Sequence, residues 1–274
     1  MSRRPKWWLV FLAWIWPITW LSAKATKLPV IGPVFAASVL PLFSKRNLNI
    51  SYIPINEPID GPASTPLPVM IVEDLIRRSP HRVIIDRCTC RDAKQCSNHP
   101  VTLGCTLIGE GAKEIDPRIA RHVSVEEAIE HLHDALKSGL MPMTGRVKLD
   151  NLIWGVRDRG KLLTICYCCR CCCTILQSGK YLPDRATASI VPLEGVDIIY
   201  NSEKCKACGT CEKECFVGAI RLDGKTIVRN VTLCKHCGRC VAVCPHGAIQ
   251  VSLKNPQATL DSLMKRIGSI VDYQ

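Results

Sequence analysis

The sequence predicts an α+β chain built in successive parts, and three observations predict it. Two uncharged apolar runs open the chain, at 7–23 and 28–44. A middle stretch then mixes short β-branched runs with an amphipathic helix at 124–139. Finally, the 18 cysteines fall into four clumps, at 88–105, 166–173, 205–215 and 234–244, the last two being copies of one pattern. The expected divisions are a membrane anchor at 1–46, a Cys-rich α/β domain at 47–195, a domain built from the repeat at 196–254, and a C-terminal tail at 255–274.

Composition limits the function. Cysteines in clumps point to metal ligands, since disulfide staples in small secreted domains are spread through short chains. The formal charge of +12 would ordinarily suggest nucleic acid, but two corrections remove that reading. Arg3, Arg4, Lys6, Lys24, Lys27, Lys45 and Arg46 precede the first acid, Glu57, so much of the charge belongs to the N-terminus. Metal groups held by thiolates would also bring negative charge that this count omits. No nucleic-acid partner is expected.

Each apolar run at the N-terminus holds about 17 residues, or about 25 Å if helical, short of a hydrocarbon core of ~30 Å. Pro17 interrupts the first run, and Pro29, Pro33 and Pro41 interrupt the second. A short span, a re-entrant hairpin and an interfacial segment all fit, and the tryptophans suit a headgroup boundary. The expectation is attachment to the cytoplasmic membrane with the soluble part on the cytoplasmic side. A cleaved secretory or twin-arginine signal fits only loosely. No thiol lies before residue 47, so removing residues 1–46 is expected to leave metal binding intact.

In the middle stretch, residues 68–78 predict a short helix leading into the strand RVIID, which delivers CTCRDAKQC and then Cys105. Cys88, Cys90, Cys96 and Cys105 are expected to wrap one centre. The helix at 124–139 begins with Ser124 as cap and Glu127 three residues on, carries Val125, Ala128, Ile129, Leu132 and Leu136 as its stripe, and stops at Gly139. His131 and His133 fall on or near its polar face and are expected in solvent. His99 is kept as an outside candidate ligand. The strand KLLTI then runs into CYCCRCCC.

In CYCCRCCC three Cys-x2-Cys spacings interleave, pairing 166 with 169, 168 with 171, and 169 with 172. Extended, alternate thiols would face opposite sides; coiled, thiols three and four apart would share a face. One centre cannot use all of Cys166, Cys168, Cys169, Cys171, Cys172 and Cys173. The economical arrangement places the strip between two centres that also draw on 88–105. A zinc site beside one cluster, and thiols without metal, are the rival readings. Arg91 and Arg170 are expected as cations beside these centres.

Residues 205–215 read CKACGTCEKEC and residues 234–245 read CKHCGRCVAVCP, two copies of Cys-x2-Cys-x2-Cys-x3-Cys. In this spacing three cysteines of each run hold one cluster and the fourth crosses to the other. By that rule Cys205, Cys208, Cys211 and Cys244 hold one 4Fe-4S cluster, while Cys234, Cys237, Cys240 and Cys215 hold the second. Paired zinc knuckles have no use for a triple run with a trailing cysteine.

Over about 197–253 the chain resembles a bacterial dicluster ferredoxin. CFVGAIRL is echoed by CPHGAIQV, and VDIIYN by KTIVRN, so each half should be a strand, a binding loop, a short helix and a return strand. Phe216 departs from the proline common there, as in Pro245. The upstream part resembles uncharacterised Cys-rich ferredoxin-like proteins of anaerobes. The resemblance implies two 4Fe-4S clusters and one-electron transfer between redox partner proteins, a donor and an acceptor. One or two further iron-sulfur clusters are expected in the middle domain. The alternative is a redox enzyme whose substrate-binding cluster lies at 166–173. No nucleotide loop or catalytic triad is legible, and no catalytic residue is assigned.

Overall fold

The computed structural model describes residues 4–30, 32–39, 44–54 and 67–274. Arg3 and, from the second apolar run, Ile31 and residues 40–43 lie outside the described residues.

The first apolar run is one continuous helix, α1 (Trp7–Ala25), with Pro17 inside it, and the second contributes α2 (Gly32–Val39). Pro17 removes one intrahelical donor without ending the helix, contrary to the expected interruption. By length and composition α1 could cross a membrane. Here, however, it is tied to the body along its whole length. The Arg4 guanidinium donates to Leu152 O (2.6 Å), Trp8 Nε1 to Ile153 O (2.7 Å), Trp20 Nε1 to Thr174 Oγ1 (3.2 Å), and Thr26 Oγ1 to Tyr181 O (2.7 Å).

The middle of the chain builds a six-stranded antiparallel sheet. Its strands are β1 (Leu48–Tyr52), β2 (Arg82–Ile85), β3 (Thr106–Ile108), β4 (Ala120–His122), β5 (Met141–Val147) and β6 (Leu163–Cys168), in the order β1-β5-β6-β3-β2-β4. Helix α3 (Leu67–Arg78) precedes β2, as the sequence predicts, and α4 (Thr89–Ala93) follows it. Helix α5 (Val125–Lys137) carries the predicted capping box: Glu127 N donates to Ser124 Oγ (3.1 Å) and Ser124 N to Glu127 Oε2 (2.8 Å). Helices α6 (Lys148–Trp154), α7 (Thr174–Ser178) and α8 (Asp184–Thr187) complete this part.

Period-2 alternation gives the sheet two different faces. Ile108, Leu163, Ile165 and Tyr167 join α3 and α5 through Val72, Leu75, Ile76, Ala128 and Leu132. Val83, Ile85 and Leu107 face the other way and meet Leu9 and Leu12 of α1 and Ile153 of α6. Each fully buried aliphatic side chain contributes about 1.5–3 kcal/mol. The inner face of α1 therefore belongs to the hydrophobic core.

One glycine sits where a larger residue would push this sheet apart. A Cβ on Gly104 would lie 1.9 Å from Ile85 O, and Ile85 N donates to Cys105 O just beside it (2.9 Å). Gly104→Ala should cost about 1–3 kcal/mol by overpacking against backbone and shift Cys105. A fall in the thermal unfolding midpoint checks this; an unchanged midpoint contradicts it.

The C-terminal part follows the predicted repeat. Strand β7 (Val196–Tyr200), α9 (Thr210–Glu214) and β8 (Ile220–Asp223) are echoed by β9 (Thr226–Arg229), α10 (Arg239–Ala242) and β10 (Ile249–Leu253). β7 pairs with β10 and β8 with β9, both antiparallel. Asn201 and Asn230 play matching parts, each side chain accepting backbone N–H groups just before its loop. The segment 255–274, expected as a tail, contains α11 (Pro256–Gly268), capped by Asn255 and burying Leu263 and Ile267. Arg266 reaches Ser51 Oγ of β1 (2.6 Å) and also bonds Asn49.

Phe216 replaces the turn-forming proline for a reason that lies outside its own loop. It is buried, its ring stands edge-on to Tyr52 at 5.6 Å, and a Cβ on Gly179 would come within 2.6 Å of it. The C-terminal part thus packs an aromatic ring against Tyr52 of β1 and beside Gly179.

Candidate metal centres

The ten upstream cysteines divide into two groups, and the backbone explains the division. Residues 163–168 are strand, so Cys166 and Cys168 point to the α1 side of the sheet while Tyr167 points to the α5 side. The register pairs Thr106 with Ile165, which brings the next pair along, Cys105 and Cys166, to an Sγ–Sγ distance of 3.0 Å. Cys173 returns to Cys168 at 3.4 Å. Cys88 hydrogen bonds with Cys90; Cys88 lies close enough to this set for a charge interaction with Cys105, and Cys90 for one with Cys168. These six form a helix-side group, because Trp16 of α1 covers it: its Nε1 donates to Cys90 Sγ at 2.9 Å.

After Cys168 the strand ends in a turn, and Cys173 N donates back to Cys169 O (3.0 Å). That turn gathers Cys169, Cys171 and Cys172 with Cys96, all four sulfurs within 4.8 Å of one another, into a turn-side group. Cys96 therefore gathers with Cys169, Cys171 and Cys172 rather than with Cys88, Cys90 and Cys105, the set expected from the sequence. Helix α4 and the left-handed Gln95 (φ 48°) carry it away. Of the three interleaved spacings only 169 with 172 stays within one group; the strand-to-turn change splits the other two.

Electrostatics differ within each group. In the helix-side group the Cys90 thiol is lowered to about 6, first by its hydrogen bond with Cys88 and further by Thr174 and Trp16, against burial. Cys166 and Cys168 are raised by their thiol partners and by burial. In the turn-side group, burial pushes Cys169 up to about 12 and raises Cys172 too. Cys96 is lowered: burial opposes this, but the Asn98 and His99 N–H groups and the Cys172 and Cys171 thiols outweigh it. Burial and neighbouring sulfurs thus disfavour the thiolate at Cys88, Cys166, Cys168, Cys169 and Cys172, while donated hydrogen bonds favour it at Cys90 and Cys96. A bound metal reverses that balance and draws the remaining thiolates.

Arg91 stands between the two groups. It is 1 % exposed, and its guanidinium donates to Pro100 O (2.9 Å), Tyr167 O (2.9 Å) and Leu103 O and bonds Cys169. Arg170 instead reaches the C-terminal part, donating to Lys213 O (3.2 Å) beside Glu214 (3.7 Å). His131 is not in solvent as expected: it is buried, its Nε2 2.8 Å from Gly104 O and its ring edge-on to Tyr167 at 5.3 Å. The helix turns it inward because Ala128, Leu132 and Ala135 on the same side are core. His133 pairs with Glu73 (2.7 Å). The His99 ring faces Ser138 Oγ (3.3 Å), so only its backbone N–H serves Cys96.

In the C-terminal part the loops suit anionic groups. Ala207 and His236 have φ of 53° and 49°, followed by Gly209 and Gly238 at 71° and 75°, so successive N–H groups turn inward as an anion-holding nest. Backbone N–H groups aim at sulfur: Ala207 at Cys205 (3.4 Å), Ala219 at Cys215 (3.1 Å) and Ala248 at Cys244 (3.3 Å). Cys215, Cys234, Cys237 and Cys240 line one pocket, walled by Ile198, Phe216 and Ala219. Burial pushes Cys237 up to about 12 and raises Cys240. Of the other four thiols, Cys211 is buried, Cys205 and Cys244 are half-buried, and Cys208 is exposed. Burial, and then the nearby Cys208 and Cys205 sulfurs, raise Cys211.

These donor sets fit metal binding. Soft thiolates with N–H···S bonds suit iron-sulfur clusters. The turn-side sulfurs are also compact enough for a single tetrahedral ion, since metal–sulfur bonds of ~2.3 Å put ligands roughly 3.8 Å apart; Cys96 and Cys171 are 3.6 Å apart. Tyr52 supplies an orphaned polar atom. Its buried hydroxyl has no hydrogen-bond partner among the described residues, and after burial the groups that raise its pKa are Cys173, Cys168, Cys237 and Cys166.

The loss of residues 1–46 now carries a different expectation. Trp16 and Trp20 contact Cys90 and Thr174, so the helix-side thiols would be uncovered even though no ligand is removed.

No curated protein matches the chain. Residues 204–249 match the family model described as the 4Fe-4S dicluster domain, which implies two 4Fe-4S clusters and iron-sulfur electron transfer for this part; residues upstream of 204 lie outside the match.

Proposed function

We propose that this is a membrane-attached electron-transfer protein, with redox centres in the middle domain adjoining those of the dicluster domain. Cys205, Cys208, Cys211 and Cys244 would hold one 4Fe-4S cluster, and Cys234, Cys237, Cys240 and Cys215 the other. The helix-side and turn-side thiols would hold one further metal centre each. The domain boundaries near residues 46, 195 and 254 belong to the same reading. When bound, such clusters supply one-electron chemistry.

The observation that carries the reading is a shared apolar wall. Cys168 and Cys173 of the helix-side group, Cys237 of the dicluster domain, Tyr52 and Phe216 all pack in one hydrophobic cluster. A wall of this kind excludes water between the two binding regions and holds their spacing rigid. Exposed Cys208 marks the edge where a redox partner would approach. Attachment on the cytoplasmic side accords with the basic flanks of the apolar runs. The helix-side group has more thiols than one cluster needs, which favours as a second reading a redox enzyme using the 166–173 strip.

Metal analysis of the anaerobically purified whole chain tests the proposal. Two 4Fe-4S clusters account for about eight irons. More than that, or about eight with zinc, is expected; about eight and no other metal would restrict redox chemistry to the dicluster domain.

A further inference from the structure

The outward face of α1 is a continuous apolar stripe. Trp7, Val10, Trp14, Ile18 and Leu21 are exposed, Trp14 by 77 %, and they recur at helical spacing on the side opposite Leu9, Leu12 and Trp16. Leu149 and Leu152 of α6 are exposed too, and the bond from Arg4 to Leu152 O sets α6 beside the start of α1.

A helix with this inner face cannot stand upright in a bilayer. Its bonds run from Arg4 to Thr26, at both ends and in between. An upright α1 would draw Cys90, Thr174 and the polar backbone at Ile153 and Tyr181 into hydrocarbon, where each unpaired polar group is costly. Turned flat, the same helix wets nothing that the fold keeps dry and immerses only its stripe.

We propose that α1 lies in the plane of an anionic membrane surface, its stripe sunk at the headgroup boundary and its inner face still closing the helix-side thiols. This rests on the membrane attachment in the proposed function and specifies its mode. Charge selects lipid as the occupant. Lys6 stands exposed at one end of the helix, Lys24 and Lys27 at the other, and no acidic residue occurs before Glu57. Indole rings between basic ends suit an interface, and both signals strengthen binding to anionic headgroups.

Flotation of the metal-loaded full chain with vesicles of phosphatidylcholine, with and without phosphatidylglycerol, tests this. Binding should be at least tenfold tighter with phosphatidylglycerol and weaken as salt rises. Trp14→Glu with Ile18→Glu should lower it at least tenfold at unchanged metal content, since both side chains point away from the core. Depth is read from quenching by brominated lipids, as the difference between the parent and Trp14→Phe. Bromines placed high on the acyl chain should quench Trp14 more than bromines near its end.

Binding with stronger quenching at the chain end would overturn the flat orientation but leave attachment standing. No binding to either vesicle would overturn attachment itself, while the metal content judges the electron-transfer reading independently. Equal binding to both vesicles, or a parent that self-associates where the double variant does not, would overturn the choice of an anionic surface as occupant.

Discussion

A Cys169→Ser protein is expected to lose the metal of the turn-side group and keep the rest. Cys169 lies within 4.8 Å of Cys96, Cys171 and Cys172, and those four sulfurs leave no spare ligand for a tetrahedral ion or a four-ligand cluster. A serine hydroxyl is a much poorer ligand for a soft metal than a thiolate. The loss should therefore be one site's content, about four irons or about one zinc per chain. Cys173→Ser should behave differently. Its group still offers Cys88, Cys90, Cys105, Cys166 and Cys168, so metal content there should hold while the spectrum of that centre changes. Metal analysis with electron paramagnetic resonance of the reduced proteins checks both. A Cys169→Ser protein with parental metal content would sink the turn-side assignment.

Replacing Arg91 by methionine should cost more stability than any surface change in this chain. The guanidinium serves Pro100 O, Leu103 O and Tyr167 O at once. Charge-assisted hydrogen bonds contribute about 1.5–3 kcal/mol each, and the abandoned carbonyls stay buried. A loss of at least about 4 kcal/mol in unfolding free energy is expected. Arg91 is also a cation beside Cys169, Cys88 and Cys105, so its removal should shift the potential of the adjoining centres downward, because the added electron loses a nearby positive charge. Arg91→Lys separates the two roles. It restores charge and most of the potential, but an ammonium cannot reach three carbonyls in a fixed plane, so stability should recover only in part. Denaturant unfolding and a redox titration read these effects; identical stability in Arg91→Met and the parent would contradict the first.

Local features of the fold were legible because their causes are local. The capping box at Ser124 and Glu127, the strand entering CYCCRCCC and the β8–β9 hairpin all rest on residues within a few positions of one another, while the longer β7–β10 pairing joins the two copies of a repeat that the sequence displays. His131 departs from the solvent position expected of it because a helix face that looks polar in sequence turns inward once Ala128, Leu132 and Ala135 define the buried side, and Gly104 O then supplies a partner. The role of Phe216 could not be read from its own loop, since what it contacts, Tyr52 and Gly179, comes from two distant segments.

The sequence by itself determined the number and spacing of the thiols, the dicluster repeat and the apolar character of the N-terminus, because those are properties of residue type and interval. Only the tertiary structure decided how the thiols are shared out and what α1 covers. The division of CYCCRCCC depends on where β6 ends and turns, and that is set by pairing with β3 and β5. The position of α1 depends on Leu9, Leu12 and Trp16 finding partners on the sheet and at Cys90. A run of apolar residues states that it must leave water; whether it leaves into lipid or onto its own protein is settled by which surface the rest of the chain presents to each of its faces.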